Sequence, residues 1–127
     1  AFISGKSPVI YGDGRQSRDF TYIDNVIQAN NLAATTQNPK AINTVYNVAF
    51  GESTDLNELV TLLQDFLSQF DPSVKKIKII YEQERIGDIK YSLASIEKAK
   101  KLLGYSPRYN MKKGLEEAIK WYWDNSG

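Results

Sequence analysis

The chain has 127 residues, of which 42% are hydrophobic and 24% charged, so it can bury a core of its own. The formal net charge is only +1, which excludes the strong basic field of a nucleic-acid-binding surface, and no apolar stretch is long enough to span a bilayer. Cysteine and histidine are both absent, which excludes disulfides, thiol nucleophiles and a Ser-His-Asp triad. We therefore expect no metal, nucleic-acid or membrane partner, and a composition compatible with the cytoplasm.

The first third of the chain predicts two strands and a helix. Val9-Ile10-Tyr11 is a short apolar strand that runs into the glycine turn Gly12-Asp13-Gly14. Residues 20–23 alternate and are rich in β-formers, and Asp24 offers a helix N-cap. Apolar residues from Val26 onward then follow a helical period.

The middle of the chain predicts a buried strand, a strongly amphipathic helix and a half-exposed strand. Residues 44–49 are the first strand, after the helix-stopping pair Asn38-Pro39. Thr54 is placed to cap the helix, whose apolar stripe runs to Phe70. Residues 76–81 alternate as the second strand.

The last third predicts two helices. The first covers residues 92–103 and ends at Gly104, and the second carries apolar residues at helical spacing between Met111 and Tyr122. The order of the predicted strands and helices indicates a mixed α/β fold, and we expect residues 1–127 to form a single domain.

Two short segments could bind an anion. Arg18 follows the glycine turn, and its planar guanidinium suits a phosphate group. Arg85 and Asp88 flank Gly87, so the cation could bind phosphate while the carboxylate accepts from sugar hydroxyls. The local alternatives are an Arg18 pair with a nearby carboxylate and an internal Arg85–Asp88 pair. Most aromatic residues are expected in the core, but Tyr11 leads directly into the glycine turn and is kept as a candidate.

The chain carries no dinucleotide-binding fingerprint and no convincing catalytic pair. No Gly-x-x-Gly-x-x-Gly turn opens a β-α unit. Tyr109 and Lys113 match a Tyr-x-x-x-Lys spacing, which we interpret as coincidence at the start of the last helix. We therefore predict no catalytic, cofactor-binding or metal-binding residue in this chain.

Several segments nevertheless combine into a recognisable pattern. They are Tyr11-Gly12-Asp13-Gly14, Ser17-Arg18-Asp19-Phe20-x-Tyr22-Ile23-Asp24-Asn25-Val26, Val45-Tyr46-Asn47-Val48-Ala49, Arg85-x-Gly87-Asp88 and Leu102-Leu103-Gly104-Tyr105-x-Pro107. Their order and spacing resemble the carboxy-terminal, substrate-side portion of extended short-chain dehydrogenases/reductases of the nucleotide-sugar 4-epimerase type. The run from Ser17 to Gln28 is most similar to epimerases acting on UDP-N-acetylhexosamines. Ser95 departs from the Asp that many relatives carry there.

The resemblance implies a role for each candidate residue. Arg18 and Arg85 would bind the diphosphate between them, and Asp88 would accept a hydrogen bond from a hydroxyl of the ribose. Tyr11 would line the nucleotide pocket. The partner would be a UDP-sugar, either UDP-GlcNAc and UDP-GalNAc or UDP-Glc and UDP-Gal.

The same resemblance describes a longer parent enzyme. The parent would bind NAD in an amino-terminal Rossmann domain, oxidise the sugar transiently at C4, and dimerise through that domain. A chain without that domain would bind no NAD and be inactive alone. Two alternatives remain open: the same region of a UDP-glucuronate decarboxylase or nucleotide-sugar dehydratase, and a non-enzymatic α/β interaction module.

Overall fold

The computed structural model describes residues 1–125. Helices and short strands alternate along the chain, which confirms the predicted mixed α/β class. The residues divide into two compact units, each assembled from separate stretches of sequence. Unit 1 contains Ala1–Arg18, Thr54–Tyr91 and the residues from Leu115, and unit 2 contains Asp19–Ser53 and Ser92–Gly114.

Unit 1 contains four short strands in two pairs. Strand β1 (Val9–Tyr11) lies parallel to β4 (Ile80–Glu82), and β2 (Ser17–Arg18) lies antiparallel to β3 (Thr54–Asp55). The predicted strand at β1 is confirmed. The strand predicted over residues 76–81 begins only at Ile80, because the preceding chain forms the 3-10 helix Pro72–Lys76 and its cap.

The core of unit 1 forms around helix α2 (Leu56–Leu67). The buried apolar side chains of this core are Phe2, Ile10, Val60, Leu67, Val74 and Ile119. The predicted Thr54 cap is wrong by one residue, because Thr54 belongs to β3 and the Asp55 carboxylate accepts the Glu58 N–H at 2.8 Å. The helix also ends at Leu67 rather than near Phe70, where the chain tightens into hydrogen-bonded turns.

Unit 2 packs helix α1 (Ile23–Thr35) against helix α3 (Glu97–Leu103). The buried residues of its core cluster are Ala29, Ala49, Ile96, Ala99 and Tyr105. Tyr105 is only 1% exposed, and its hydroxyl donates to the Ala49 carbonyl at 2.8 Å. Gly104 ends α3 with a φ of 70°, as predicted from its position, because the left-handed conformation is cheap only for glycine.

Two predicted strands in unit 2 are wrong. Over residues 20–23 the chain instead enters α1, with Tyr22 at the N-cap and Asp24 inside the first turn. Residues 44–49 form no ladder within the described chain, and Val45 is 84% exposed. This segment is held instead by single contacts, such as the hydrogen bond that the Tyr46 hydroxyl donates to the Ala41 carbonyl at 2.9 Å. Its β-rich composition therefore does not produce a strand, because a strand needs a partner.

Two helices complete the chain. Helix α3 begins at Glu97 and not near Ser92 as predicted, since the backbone before it is held elsewhere: the Ala94 N–H donates to the Asp19 carboxylate at 3.4 Å. Helix α4 (Met111–Asn125) confirms the last predicted helix. None of the helices in residues 1–125 is both long and apolar enough to cross a membrane.

Candidate functional site

The glycine turn after β1 lies against the start of α2. Asn57 donates its side-chain amide to the Asp13 carbonyl at 3.0 Å and its backbone N–H to the Gly14 carbonyl at 3.2 Å. Gly14 has a φ of 75°, and a Cβ there would collide with the side chain of Asn57. Glycine is therefore required at this position both for backbone conformation and for space.

The main chain around Tyr11 is held on both sides. Tyr11 lies opposite Glu82 in the β1–β4 pair, and the Gly12 N–H donates to the Glu82 carbonyl at 2.8 Å. On its other side, the Tyr11 carbonyl accepts a hydrogen bond from the Gln16 side chain at 2.5 Å. The sequence analysis did not single out Gln16, whose role depends on a turn closing over five residues.

Arg18 makes three hydrogen bonds. Its Nη1 atom donates to the carbonyls of Ser17 and Ile89, at 2.8 and 2.5 Å. Its Nη2 atom donates to Asp88 Oδ1 at 2.7 Å, across 70 residues of sequence. The two side chains are 32% and 27% exposed, so this ion pair is only partly screened by solvent. The pairing of Arg18 with a carboxylate, one of the local alternatives, is therefore present.

Arg85 lies over the ring of Tyr11. Its Cζ atom is 3.8 Å from the ring centroid, within the range of a cation–π contact. The turn is closed by the Asp88 N–H, which donates to the Arg85 carbonyl at 3.2 Å, and by Gly87 with a φ of 82°. The alternative ion pair between Arg85 and Asp88 is not formed: in residues 1–125 the acidic partner of Arg18 is Asp88, and Arg85 has none within 4.0 Å.

All four predicted residues thus meet at the turn over residues 85–88. Arg18 reaches this turn from β2, and Tyr11 reaches it from β1. The result is one guanidinium that is exposed and one that is anchored beside a carboxylate. This combination of two forked donors and an acidic acceptor can bind a ligand that carries both phosphate and hydroxyl groups.

A cavity of about 310 Å³ lies beside the glycine turn, and the predicted residues are not in its lining. The lining residues are Gly12, Asp13, Arg15, Gln16, Glu84, Lys90 and Tyr91. Its two cations are accompanied by two carboxylates, and Lys90 lies 4.0 Å from Glu84. The cavity is therefore balanced in charge, whereas Arg85, in the turn nearby, has no carboxylate within 4.0 Å among residues 1–125. Sequence spacing did not indicate Arg15 or Lys90, because nothing local distinguishes them from solvated surface charges.

Two further residues of the same sequence pattern have structural roles in unit 2. The Asp19 carboxylate accepts hydrogen bonds from three backbone N–H groups, those of Phe50, Gly51 and Ala94. Asn25 is 2% exposed and uses both ends of its amide on the backbone of Arg108 and Tyr109. These contacts explain why polar residues occur at these positions without any ligand.

The glycine turn after β1 does not have the form of a dinucleotide-binding turn. The glycine turn after β1 leads into the two-residue strand β2 and not into a helix, so it lacks the helix N-terminus that binds a pyrophosphate. Tyr109 and Lys113 contact each other in unit 2, with Nζ 5.1 Å from the ring centroid. The Tyr109 ring also packs 4.9 Å from that of Tyr22. This environment is consistent with a structural pair.

Comparison with known proteins assigns the chain to a family. The family model described as GDP-mannose 4,6 dehydratase matches residues 2–118. A putative UDP-glucose 4-epimerase of Methanocaldococcus jannaschii is 29% identical over 124 residues. That match covers 98% of this chain and 37% of the relative, so the chain spans little more than a third of the relative's length.

Two solved structures are similar to this chain over nearly its whole length. A UDP-N-acetylglucosamine 4-epimerase from Methanobrevibacter ruminantium, in complex with UDP-N-acetylmuramic acid, is 40% identical with a TM-score of 0.80, over 97% of this chain and 38% of that one. A UDP-glucuronic acid 4-epimerase from Bacillus cereus, in complex with UDP-glucuronic acid and NAD, is 31% identical with a TM-score of 0.82, over 98% and 37%. The chain therefore belongs to the GDP-mannose 4,6-dehydratase family of extended short-chain dehydrogenases/reductases, and the solved structures that resemble it are nucleotide-sugar 4-epimerases.

Proposed function

We propose that residues 1–127 act as one nucleotide-sugar-binding domain of an NAD-dependent UDP-sugar 4-epimerase, and that this chain binds substrate but performs no chemistry alone. The observation that carries the proposal is the meeting of Arg18, Arg85, Asp88 and Tyr11 at one turn. These residues come from two separate stretches of unit 1, Ala1–Arg18 and Thr54–Tyr91, so their proximity is a product of the fold.

The diphosphate would bind first to Arg85. Arg85 is exposed and has no acidic partner in residues 1–125, so its donors can turn to a ligand without breaking an ion pair. Arg18 is more constrained, because Nη1 already serves two carbonyls and Nη2 serves Asp88. Arg18 would bind the diphosphate with the guanidinium N–H groups that these three hydrogen bonds do not use. Each hydrogen bond between a guanidinium and a phosphate oxygen contributes about 1.5–3 kcal/mol.

The Asp88 carboxylate would accept a hydrogen bond from a ribose hydroxyl. Arg18 holds Asp88 through Oδ1, which orients the carboxylate and leaves Oδ2 as an acceptor. An acidic acceptor beside two arginines suits a nucleoside diphosphate, in which hydroxyl donors and phosphate acceptors lie a few bonds apart.

For the sugar we propose a UDP-N-acetylhexosamine, interconverting UDP-GlcNAc and UDP-GalNAc, with UDP-Glc and UDP-Gal as the second candidate pair. The 40% identity to a UDP-N-acetylglucosamine 4-epimerase supports this choice. In the whole protein, NAD and the catalytic Tyr and Lys would come from residues outside this chain. We further propose that the whole protein is a cytoplasmic homodimer.

The test is an amide NMR titration of the 127-residue chain with UDP, and with dTDP for comparison. We expect Kd in the millimolar range, with shifts near Tyr11, Arg18 and residues 85–88 that are larger for UDP. Arg85→Ala should weaken UDP binding about tenfold or more, the equivalent of one charge-assisted hydrogen bond.

Arg108→Ala is the matched control, since Arg108 is an exposed arginine of unit 2. It should leave the UDP affinity unchanged. Equal affinity of wild type and Arg85→Ala, or shifts confined to other residues, would contradict the proposed site. No response to either nucleotide at millimolar concentration would contradict binding by this chain alone.

A further inference from the structure

Tyr11 and Arg85 differ in how firmly their backbones are held. Tyr11 lies in β1, where the N–H of the next residue, Gly12, donates to the Glu82 carbonyl and the Gln16 side chain donates to the Tyr11 carbonyl. Arg85 lies in an exposed turn beyond the end of β4, with a long side chain that has several rotamers. In this pair the aromatic ring is therefore the fixed element, and the guanidinium is the group that becomes oriented.

The geometry of the contact leaves the Arg85 donors available. We infer a contact made by the flat face of the guanidinium, because Cζ lies only 3.8 Å from the ring centroid and an N–H aimed at the ring would hold Cζ farther away. The N–H groups point outward in the guanidinium plane, so a face contact does not consume them. The same contact covers one face of the Tyr11 ring, which then cannot stack on a nucleobase from that side.

We propose that Tyr11 is a positioning residue: its ring holds the Arg85 guanidinium ready for the diphosphate and is not itself a contact for the base. This inference rests on the proposed function, because it takes Arg85 to be a phosphate ligand. Its consequence is that Tyr11 influences nucleotide affinity only through Arg85. Holding the guanidinium in place before binding reduces the entropy that would otherwise be lost when the ligand arrives.

The first measurement tests the contact without any ligand. In the 127-residue chain, the side-chain protons of Arg85 should be shifted upfield by the ring current of Tyr11. Tyr11→Leu should abolish this shift, whereas the conservative variant Tyr11→Phe should retain it. Tyr122→Leu is the matched control, since Tyr122 is a 54% exposed tyrosine of α4, and it should leave the Arg85 resonances unchanged.

The second measurement is a thermodynamic cycle on UDP affinity, using wild type, Tyr11→Leu, Arg85→Ala and the double variant. Exposed cation–π contacts predict that Tyr11→Leu weakens UDP binding roughly two- to five-fold. In the Arg85→Ala background the same change should have no further effect, and Tyr11→Phe should restore the wild-type affinity.

The outcomes separate this inference from the proposed function. An absent ring-current shift, or an equal loss from Tyr11→Leu with and without Arg85, would overturn the positioning role while UDP binding at the site stands. An equal loss in both backgrounds would mean that the Tyr11 ring contacts the nucleotide directly. Unchanged affinity in Arg85→Ala would instead remove the phosphate role of Arg85 and, with it, both proposals.

Discussion

The guanidinium of Arg18 donates to Asp88 Oδ1 at 2.7 Å and thereby joins strand β2 to the turn that carries Arg85. The same side chain donates to the Ile89 carbonyl, so β2 is connected to this turn by both an ion pair and a neutral hydrogen bond. Arg18 is therefore placed to stabilise unit 1 apart from its proposed role toward a ligand, whereas Arg85 has no acidic partner within 4.0 Å in residues 1–125.

Arg18→Ala should lower the free energy of unfolding by about 1–3 kcal/mol, because it removes a partly exposed ion pair and two hydrogen bonds to carbonyls. Arg15→Ala is the matched control. Arg15 is 82% exposed and lies 3.9 Å from Asp13, so its loss should cost less than about 0.5 kcal/mol. Urea denaturation monitored by circular dichroism measures both. Equal stability of the two variants would show that the contacts of the Arg18 side chain do not stabilise the fold.

Asp88→Asn should reduce the preference of the chain for UDP over 2′-deoxy-UDP. In the wild type, a ribose hydroxyl that donates to a carboxylate predicts that UDP binds at least about tenfold more tightly than 2′-deoxy-UDP. In Asp88→Asn the hydroxyl can donate only to a neutral amide oxygen, which predicts a preference of about two- to tenfold. The measurement is the ratio of the two Kd values from NMR titration. Asp13→Asn serves as the control, since Asp13 is an exposed acid on the glycine turn. A ratio that is unchanged in Asp88→Asn would argue against a ribose contact.

Gly14→Ala and Gly87→Ala form a matched pair of substitutions in unit 1. Both glycines have positive φ, so each variant should lose about 1 kcal/mol or more from backbone strain. Only Gly14 also faces the anchored side chain of Asn57, whereas a Cβ at Gly87 meets no atom within 4 Å. We expect Gly14→Ala to be the less stable by about 1–3 kcal/mol in urea denaturation. A smaller loss at Gly14 than at Gly87 would contradict the close approach of Asn57.

Stability at alkaline pH should depend on Tyr105. Burial, and secondarily the negative charge of Asp19, raise the pKa of the Tyr105 phenol above its usual value. The unfolded chain then ionises first, so this contribution to stability is complete below about pH 10 and is lost as the pH rises through the folded-state pKa. Urea denaturation between about pH 8 and pH 11 measures the loss.

Tyr105→Phe provides the comparison for that experiment. At neutral pH it should be less stable by about 1–3 kcal/mol, because the buried Ala49 carbonyl loses its donor. The difference from wild type should shrink as the pH rises above about 10, since the substituted ring cannot ionise. A difference that stays constant over the whole range would show that Tyr105 ionises equally in the folded and unfolded chains.

Some features of this protein could be predicted from sequence because their causes are local. The apolar stripes of α2 and α4 have the helical period within a few turns of chain, and both helices are present. Gly104 ends α3 for the same kind of reason, since the left-handed conformation is a property of that residue. The strand predictions over residues 20–23 and 44–49 were wrong because a strand depends on a neighbour that its own residues do not specify.

Periodicity, residue type and ordered motifs lie along the chain, so the sequence was enough to predict the approximate helices, the α/β class and the four candidate residues. Which of these residues contact one another depends on how the chain folds. Arg18 pairs with Asp88, and Arg85 lies on Tyr11, because the β1–β4 pair and the approach of β2 bring together segments about seventy residues apart. Such contacts depend on three-dimensional packing, so no local spacing could have distinguished them from the Arg85–Asp88 pair that does not form.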